Sequence, residues 1–525
     1  MIARGGIAER VPPALGIPAL GVMVRRWPVP GVIGICAFCA LVLRAWLLSR
    51  PGHLLGVTEA DDGVMFGTAL RLVNGVLPYR DFSDVQPPGS FLLLVPAAMM
   101  AKVTGSAWGL AIARMFTVAA DTACVVLIGL LVRRRGMATV VMACGIYAVY
   151  PDALDASHTF LLEPWLNLFC LLGAVAVFDG DEFTVRRRRL ALGGAAFGFA
   201  AAIKLWAFAP LVILAVLLLC GSRRRRTIPL AAGAVAGFGI PSLPFWLLAP
   251  GAFVSGVFTG QYVRSGAGQH ALSVPRLADL IGGWAAGSLP DQLTVLVVVA
   301  LVVFVAVGYV VQRPRALDCY AVICCVVVFV MVLLPRLYYS HYGSFLGPFL
   351  ALTVALPAGH LASRLGSRLT LCLSAVAVVL LAVVGVRSVQ VLTPVPKGPS
   401  VAVGQRLIPA GACVLTDVPS YLVAADRFAT KAGCPDLVDP QGTLIAMTNG
   451  AEMNAPRAVR ARVAAVWLAG FEQAEYVWLF SGDATRVPWT PALHAYLLTH
   501  FRLIAFGNAY GASRDVPPSG LYVRR

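Results

Sequence analysis

Apolar stretches broken by short polar segments run from residue 29 to residue 386, and a more evenly mixed region follows. A stretch of about 20 apolar residues spans the hydrocarbon core of a bilayer. On that rule residues 29–48, 108–132, 137–150, 160–178, 190–203, 205–220, 228–248, 292–311, 317–334, 344–361 and 369–386 predict about eleven crossings. Residues 90–103 are apolar but short. The run 108–132 ends in Arg133, Arg134 and Arg135, so it must end inside and begin outside. The segment 90–103 then cannot cross, and an interfacial or re-entrant helix on the outer face is expected. This parity puts the N-terminus inside and the C-terminus outside. Residues 1–27 read as a cytoplasmic tail without a cleavable signal peptide. A first external loop covers 50–107 and a second covers 250–289, within a membrane domain of residues 28–390.

Residues 397–525 change character. Strand-like runs at 412–415, 476–480 and 503–505 alternate with helix-like runs at 455–468 and 491–498. That pattern predicts a small extracytoplasmic α/β domain. The fold class is therefore an α-helical polytopic membrane protein with a C-terminal α/β domain outside the membrane.

Composition agrees. Hydrophobic residues make up 59% of the 525 and charged residues 13%, against about 25% charged in soluble domains. The net charge of +17 comes in blocks: Arg25 and Arg26, 133–135, 186–189, 223–226, Arg313 and Arg315. Such blocks between apolar segments are positive-inside signals, which excludes a nucleic-acid reading. The Ala-, Gly- and Arg-rich composition accords with a high-GC bacterial source. Ten of the 12 cysteines lie in or beside apolar runs without metal-ligand spacing. Cys413 and Cys434 lie in the C-terminal region, where a disulfide is expected and two buried thiols are the alternative. Arg44, near the outer end of the first span, either snorkels or points into a polar cavity.

The chemistry concentrates in residues 58–90, TEADDGVMFGTALRLVNGVLPYRDFSDVQPPGS. Glu59, Asp61, Asp62, Asp81 and Asp84 are five of the chain's 25 acids. Other candidates fall at outer ends of spans: His158 and Glu163, Lys204, Arg264, and Arg336, His341 and Tyr342. Charges at such depths are functional hypotheses. Asp61-Asp62, then GVLPYRDF at 75–82, then QPPG at 86–89 resembles the first external loop of GT-C glycosyltransferases, in the protein O-mannosyltransferase and aminoarabinose-transferase branch. The resemblance covers roughly residues 30–390. Two departures stand out: Asp62 where that branch has Glu, and Gln86 where it has Lys.

The resemblance implies an inverting transfer of a monosaccharide, mannose or arabinose, from a polyprenyl-phosphate donor. The acceptor would be a hydroxyl of a cell-envelope glycan, lipid or protein at the outer face of the cell membrane. It implies Asp61 as catalytic base, with Asp62 and Glu163 assisting the acceptor or holding a metal. Lys204 becomes a phosphate contact. With Gln86 replacing a cation, Arg264 or Arg336 supplies the missing charge. Tyr79, Gln86, His158, His341 and Tyr342 are expected on substrate. Paired carboxylates suit Mg²⁺ or Mn²⁺, and no spacing argues for zinc. Arg80 and Asp81 read as a pair that holds the loop together. The rival readings are a transporter or lipid flippase, which predicts charges spread through the midplane and repeated broken helices, and a non-catalytic scaffold.

Overall fold

The computed structural model describes residues 29–220, 224–264, 273–283, 290–335, 338–394, 400–480, 486–506 and 517–525. The tail 1–27, with Arg25 and Arg26, and the candidate Arg336 lie outside the described residues, as do parts of the loop 250–289.

The helices are α1 (Val29–Leu48), α2 (Asp61–Val73), α3 (Val95–Thr104), α4 (Ser106–Val132), α5 (Met137–Val149), α6 (Pro151–Ser157), α7 (Leu162–Val177), α8 (Arg187–Ile203), α9 (Phe208–Cys220), α10 (Thr227–Leu248), α11 (Asp291–Val311), α12 (Ala316–Leu333), α13 (Gly347–Ala362) and α14 (Ser367–Leu392). Among the described residues six are long and apolar enough to cross a membrane: α1, α4, α10, α11, α12 and α14. α5 and α6 form a seventh such unit, bent by 53°. The other expected crossings are short helices. α7 and α13 have 16 residues, α8 has 17 and α9 has 13. The chain is thus a helical membrane protein. The segment after the Pro-Pro motif makes one turn at Gly89–Leu92 and then the ten residues of α3, roughly 15 Å of helix.

Two devices hold the bundle where lipid offers no hydrophobic drive between helices. The first is close backbone contact. Gly194 and Gly198 on α8 face Gly233 and Gly237 on α10, and an added Cβ at any of them would sit 1.9–2.1 Å from a carbonyl oxygen of the other helix. This seam fixes α8, whose last turn hands the chain to Lys204. The second device is buried ion pairing. Arg44 is fully buried and does not snorkel: its Nε donates to Asp121 at 2.6 Å and its Nη1 to the Ala148 carbonyl at 2.9 Å. Tyr147 donates to the other Asp121 oxygen. At the far end of the bundle Arg135 binds Asp181 at 2.5 Å, Asp318 at 2.6 Å and His360 at 2.5 Å, and Arg315 binds Asp181 at 2.6 Å.

The C-terminal region folds on strands β1 (Val414–Thr416), β2 (Tyr476–Leu479), β3 (Phe501–Phe506) and β4 (Gly520–Arg524), with helices α15 (Pro419–Ala424), α16 (Pro440–Met447), α17 (Arg457–Gln473) and α18 (Pro491–His500). The sheet order is β1-β2-β4-β3, with β1 and β2 parallel and the other pairs antiparallel. Trp467, Phe471, Val477 and Leu497 fill the core between sheet and helices. Cys413 and Cys434 form a disulfide. The domain sits on the first loop. Arg71, in the last turn of α2, binds Asp436 at 2.8 Å and the Pro435 carbonyl at 2.5 Å.

Candidate active site

One cavity of about 210 Å³ lies where the first loop, neighbouring helix ends and the C-terminal domain meet. Its polar lining is Glu59, Asp61 and Gln86 from the first loop, Glu163 from α7, and Lys204 after α8. Gln261, the His341–Tyr342 turn, and Asp439, Gln441 and Arg486 of the C-terminal domain complete it. Each is placed by a local feature. Asp61 opens α2 and is solvent-exposed. Gln86 is set by a turn in which its amide donates to Asp84 at 2.8 Å. Glu163 is in the first turn of α7, where an acid favours the helix dipole.

The two adjacent acids part company. Asp62 is fully buried and does not line the cavity. Arg114, in α4, donates to it at 2.5 Å and Thr159 at 2.5 Å. Arg114 also donates to the carbonyls of His53 and Leu54, each at 2.7 Å. Asp62 therefore anchors the loop to the bundle, which corrects its assignment to acceptor or metal. Tyr79 is likewise structural. It has a φ of 65°, is 5% exposed, packs on Phe91, Phe245 and Phe253, and donates to the Gln86 carbonyl. His158 is buried edge-on against His53 with Nδ1 at the Asp155 carbonyl, outside the cavity lining. Arg264 ends the helix Gln261–Arg264. The cavity brings together Asp61, Gln86, Glu163, Lys204, His341 and Tyr342.

Lys204 is held on three sides. Its Nζ donates to Glu163 at 2.6 Å and stands 3.7 Å from the Trp206 ring centroid and 4.3 Å from that of Tyr342. Glu163 is thus spent on Lys204, and Asp62 on Arg114. They do not converge on a common point. Among the described residues no group of three His, Cys, Asp or Glu could hold a metal ion. No step below passes through a metal.

Sequence reasoning missed Arg114, Gln261, Asp439 and Arg486, and gave Glu59 no role. Glu59 has no ion pair among the described residues. Burial, then the charges of Asp61, Asp155 and Asp62, push its carboxyl up to about 8. Asp84, buried behind the cavity wall, is pushed up to about 7 by burial, against the Gln86 amide that stabilises its charge. Arg114 carried a signal: a lone arginine inside an apolar run needs a buried partner.

Beside the cavity lies a second space of about 690 Å³, lined chiefly by apolar side chains. Leu205, Trp206, Gln261 and Tyr342 line both. Phe258, Met331, Val332 and Pro335 line only the second. The site is a polar chamber beside an apolar groove, and Trp206 and Tyr342 form the aromatic neck where their walls meet.

Residues 85–335 match Glycosyltransferase family 87. No curated protein matches the chain in sequence. Among solved structures, ArnT from Cupriavidus metallidurans bound to undecaprenyl phosphate is similar at 15% identity and a TM-score of 0.56, over 96% of this chain and 98% of that one. Its apo form gives 13% identity and 0.57, over 94% and 98%. The Archaeoglobus fulgidus oligosaccharyltransferase tethered with an acceptor peptide gives 11% and 0.51, over 94% and 75%. At these identities the likeness is one of fold. The shared fold and the family 87 match over residues 85–335 together support a glycosyltransferase of the GT-C kind.

Proposed function

We propose that this protein transfers a monosaccharide, mannose or arabinose, from a polyprenyl-phosphate donor to a hydroxyl of a cell-envelope glycan, lipid or protein. The observation that carries the reading is the shared wall of chamber and groove at Leu205, Trp206, Gln261 and Tyr342. A polyprenyl chain needs an apolar trough open to lipid, and its phosphate and sugar need a polar chamber at the end of that trough. The solved ArnT that shares the fold holds undecaprenyl phosphate, which supports this class of donor.

In the proposed reaction Asp61 accepts the proton of the acceptor hydroxyl as its oxygen attacks the anomeric carbon. The bond from that carbon to the phosphate oxygen breaks, and the phosphate leaves with the electron pair. One displacement inverts the anomeric centre. The leaving phosphate needs cations. Lys204 takes this part with Arg264 and Arg336, and Glu163 with the rings of Trp206 and Tyr342 keeps its ammonium aimed at the neck. Gln86 and His341 contact substrate. The arginines at 133–135 and 186–189 sit at the helix ends remote from Asp61 and Glu163. By the positive-inside rule the chamber then faces the extracytoplasmic side.

The test is transfer from radiolabelled polyprenyl-phosphate mannose and polyprenyl-phosphate arabinose in membranes holding wild type or Asp61→Asn at matched levels. Product from wild type that is lost in the variant is expected. Equal labelling with both proteins would remove Asp61 as the base. No labelling from either donor would overturn the donor assignment.

A further inference from the structure

The helix that presents Asp61 lacks its own N-terminal cap. The residue before it is Ala60, whose side chain caps nothing, although the first amides of any helix need acceptors. The missing acceptor comes from 357 residues away. The Gly63 amide donates to Ser420 Oγ at 3.2 Å, and Ser420 Oγ donates to the Ala60 carbonyl at 2.6 Å. The hydroxyl thus bridges the two residues that bracket Asp61 and Asp62, doing from α15 what a cap serine does from within a helix. Ser420 is fully buried. Gly63 is required for the approach, since a Cβ there would lie 2.2 Å from the Ser420 Cα.

The same stretch supplies a second cap and a clasp. α4 also starts without a side-chain cap of its own, at Gly105. Asp426 accepts from the Ala107 amide at 2.8 Å and from the Ser106 hydroxyl at 3.2 Å. Asp436 and Pro435 hold Arg71 at the other end of α2. The helix carrying the carboxylate is gripped at its first and last turns by residues 420–436.

We propose that Ser420 is a positioning residue for the transfer reaction: it caps α2 in trans and sets the direction of the Asp61 carboxylate. The proposal rests on the reading of Asp61 as base. A reacting group displaced by about 1 Å can cost up to about a hundredfold in rate, so loss of the cap acts on turnover before it acts on binding.

Ser420→Ala is expected to lower kcat about tenfold, with the donor KM within about twofold of wild type and undecaprenyl-phosphate binding unchanged. Ser420→Cys, which fills nearly the same volume with a group that hydrogen-bonds weakly, is expected to lose kcat as Ser420→Ala does. Asp426→Ala, which uncaps α4 without touching the Asp61 turn, is the comparator and is expected to keep wild-type kcat. Wild-type kcat in Ser420→Ala overturns the proposal. So does a fall in undecaprenyl-phosphate binding that matches the fall in kcat, which marks a folding defect. Wild-type kcat in Ser420→Cys assigns the loss in Ser420→Ala to packing and also overturns it. If Asp61→Asn is dead while Ser420→Ala is fully active, positioning alone fails. If Asp61→Asn is active, the reading beneath it fails.

Discussion

The two ends of the helical bundle use their charges in opposite ways. At the end remote from the chamber, Arg135 is closed by Asp181, Asp318 and His360, and Arg315 adds to Asp181. That network ties the α4–α5 turn to the starts of α8 and α12 and the end of α13, and its charges are consumed. At the chamber end Asp61 and Glu59 have no ion pair among the described residues and face open volume. Adjacent acids show the same split within one turn of helix: Asp62 is closed by Arg114 and Thr159, and Asp61 is open. Of these two neighbours, the acid left unmatched lines the cavity and the matched one is buried away from it.

The sharpest break in that comparison is between neighbours. Asp61→Asn is expected to lower transfer by about 10²–10⁴-fold, the usual worth of a general base, with the thermal midpoint unchanged. Asp62→Asn is expected to do the reverse per folded molecule, because removing one partner strands the Arg114 charge, at a cost of about 3–5 kcal/mol. Thermal unfolding and transfer assays on both variants decide it, and equal effects on transfer would erase the distinction. Next comes the closed end. Arg135→Ala is expected to destabilise by about 3 kcal/mol or more, while turnover of the protein that remains folded stays at the wild-type level.

Glu59 gives a smaller effect with a definite sign. Its native carboxyl titrates at about 8 against an ordinary 4.5. The native state keeps a proton that the unfolded chain has already lost, so this group's contribution is full below 4.5 and declines as pH rises through about 8. Glu59→Gln should therefore gain in thermal midpoint over wild type at pH 8.5 relative to pH 5. A gain equal at both values would show that Glu59 does not hold the proton. The smallest effect belongs to the exposed pair Arg80 and Asp81, joined at 2.7 Å. Arg80→Ala should leave the thermal midpoint unmoved, as surface pairs usually do.

The membrane character and the importance of residues 58–90 were legible from the alternation of apolar runs and polar breaks. Asp61, Gln86, Glu163, Lys204, His341 and Tyr342, named from the polar breaks between apolar runs, line one chamber. What could not be read was who pairs with whom. Arg44 finds Asp121 from 77 residues away and Arg114 finds Asp62 from 52, and spacing carries no trace of either. Asp62 resembled its neighbour in the motif and differs from it only in which side of α2 it occupies. The share of the C-terminal domain was hidden most completely. Ser420, Asp439, Gln441 and Arg486 sit in no motif, and their meaning exists only after docking.

That docking also has a bearing on biosynthesis. The ribosome delivers the Asp61 turn long before it delivers the hydroxyl that steadies it, and the two are 357 residues apart. A nascent or truncated chain can hold the groove, the neck and the carboxylate and still lack the piece that aims them. On the positioning proposal, a chain that stops before residue 420 carries Asp61 without the hydroxyl that caps its helix.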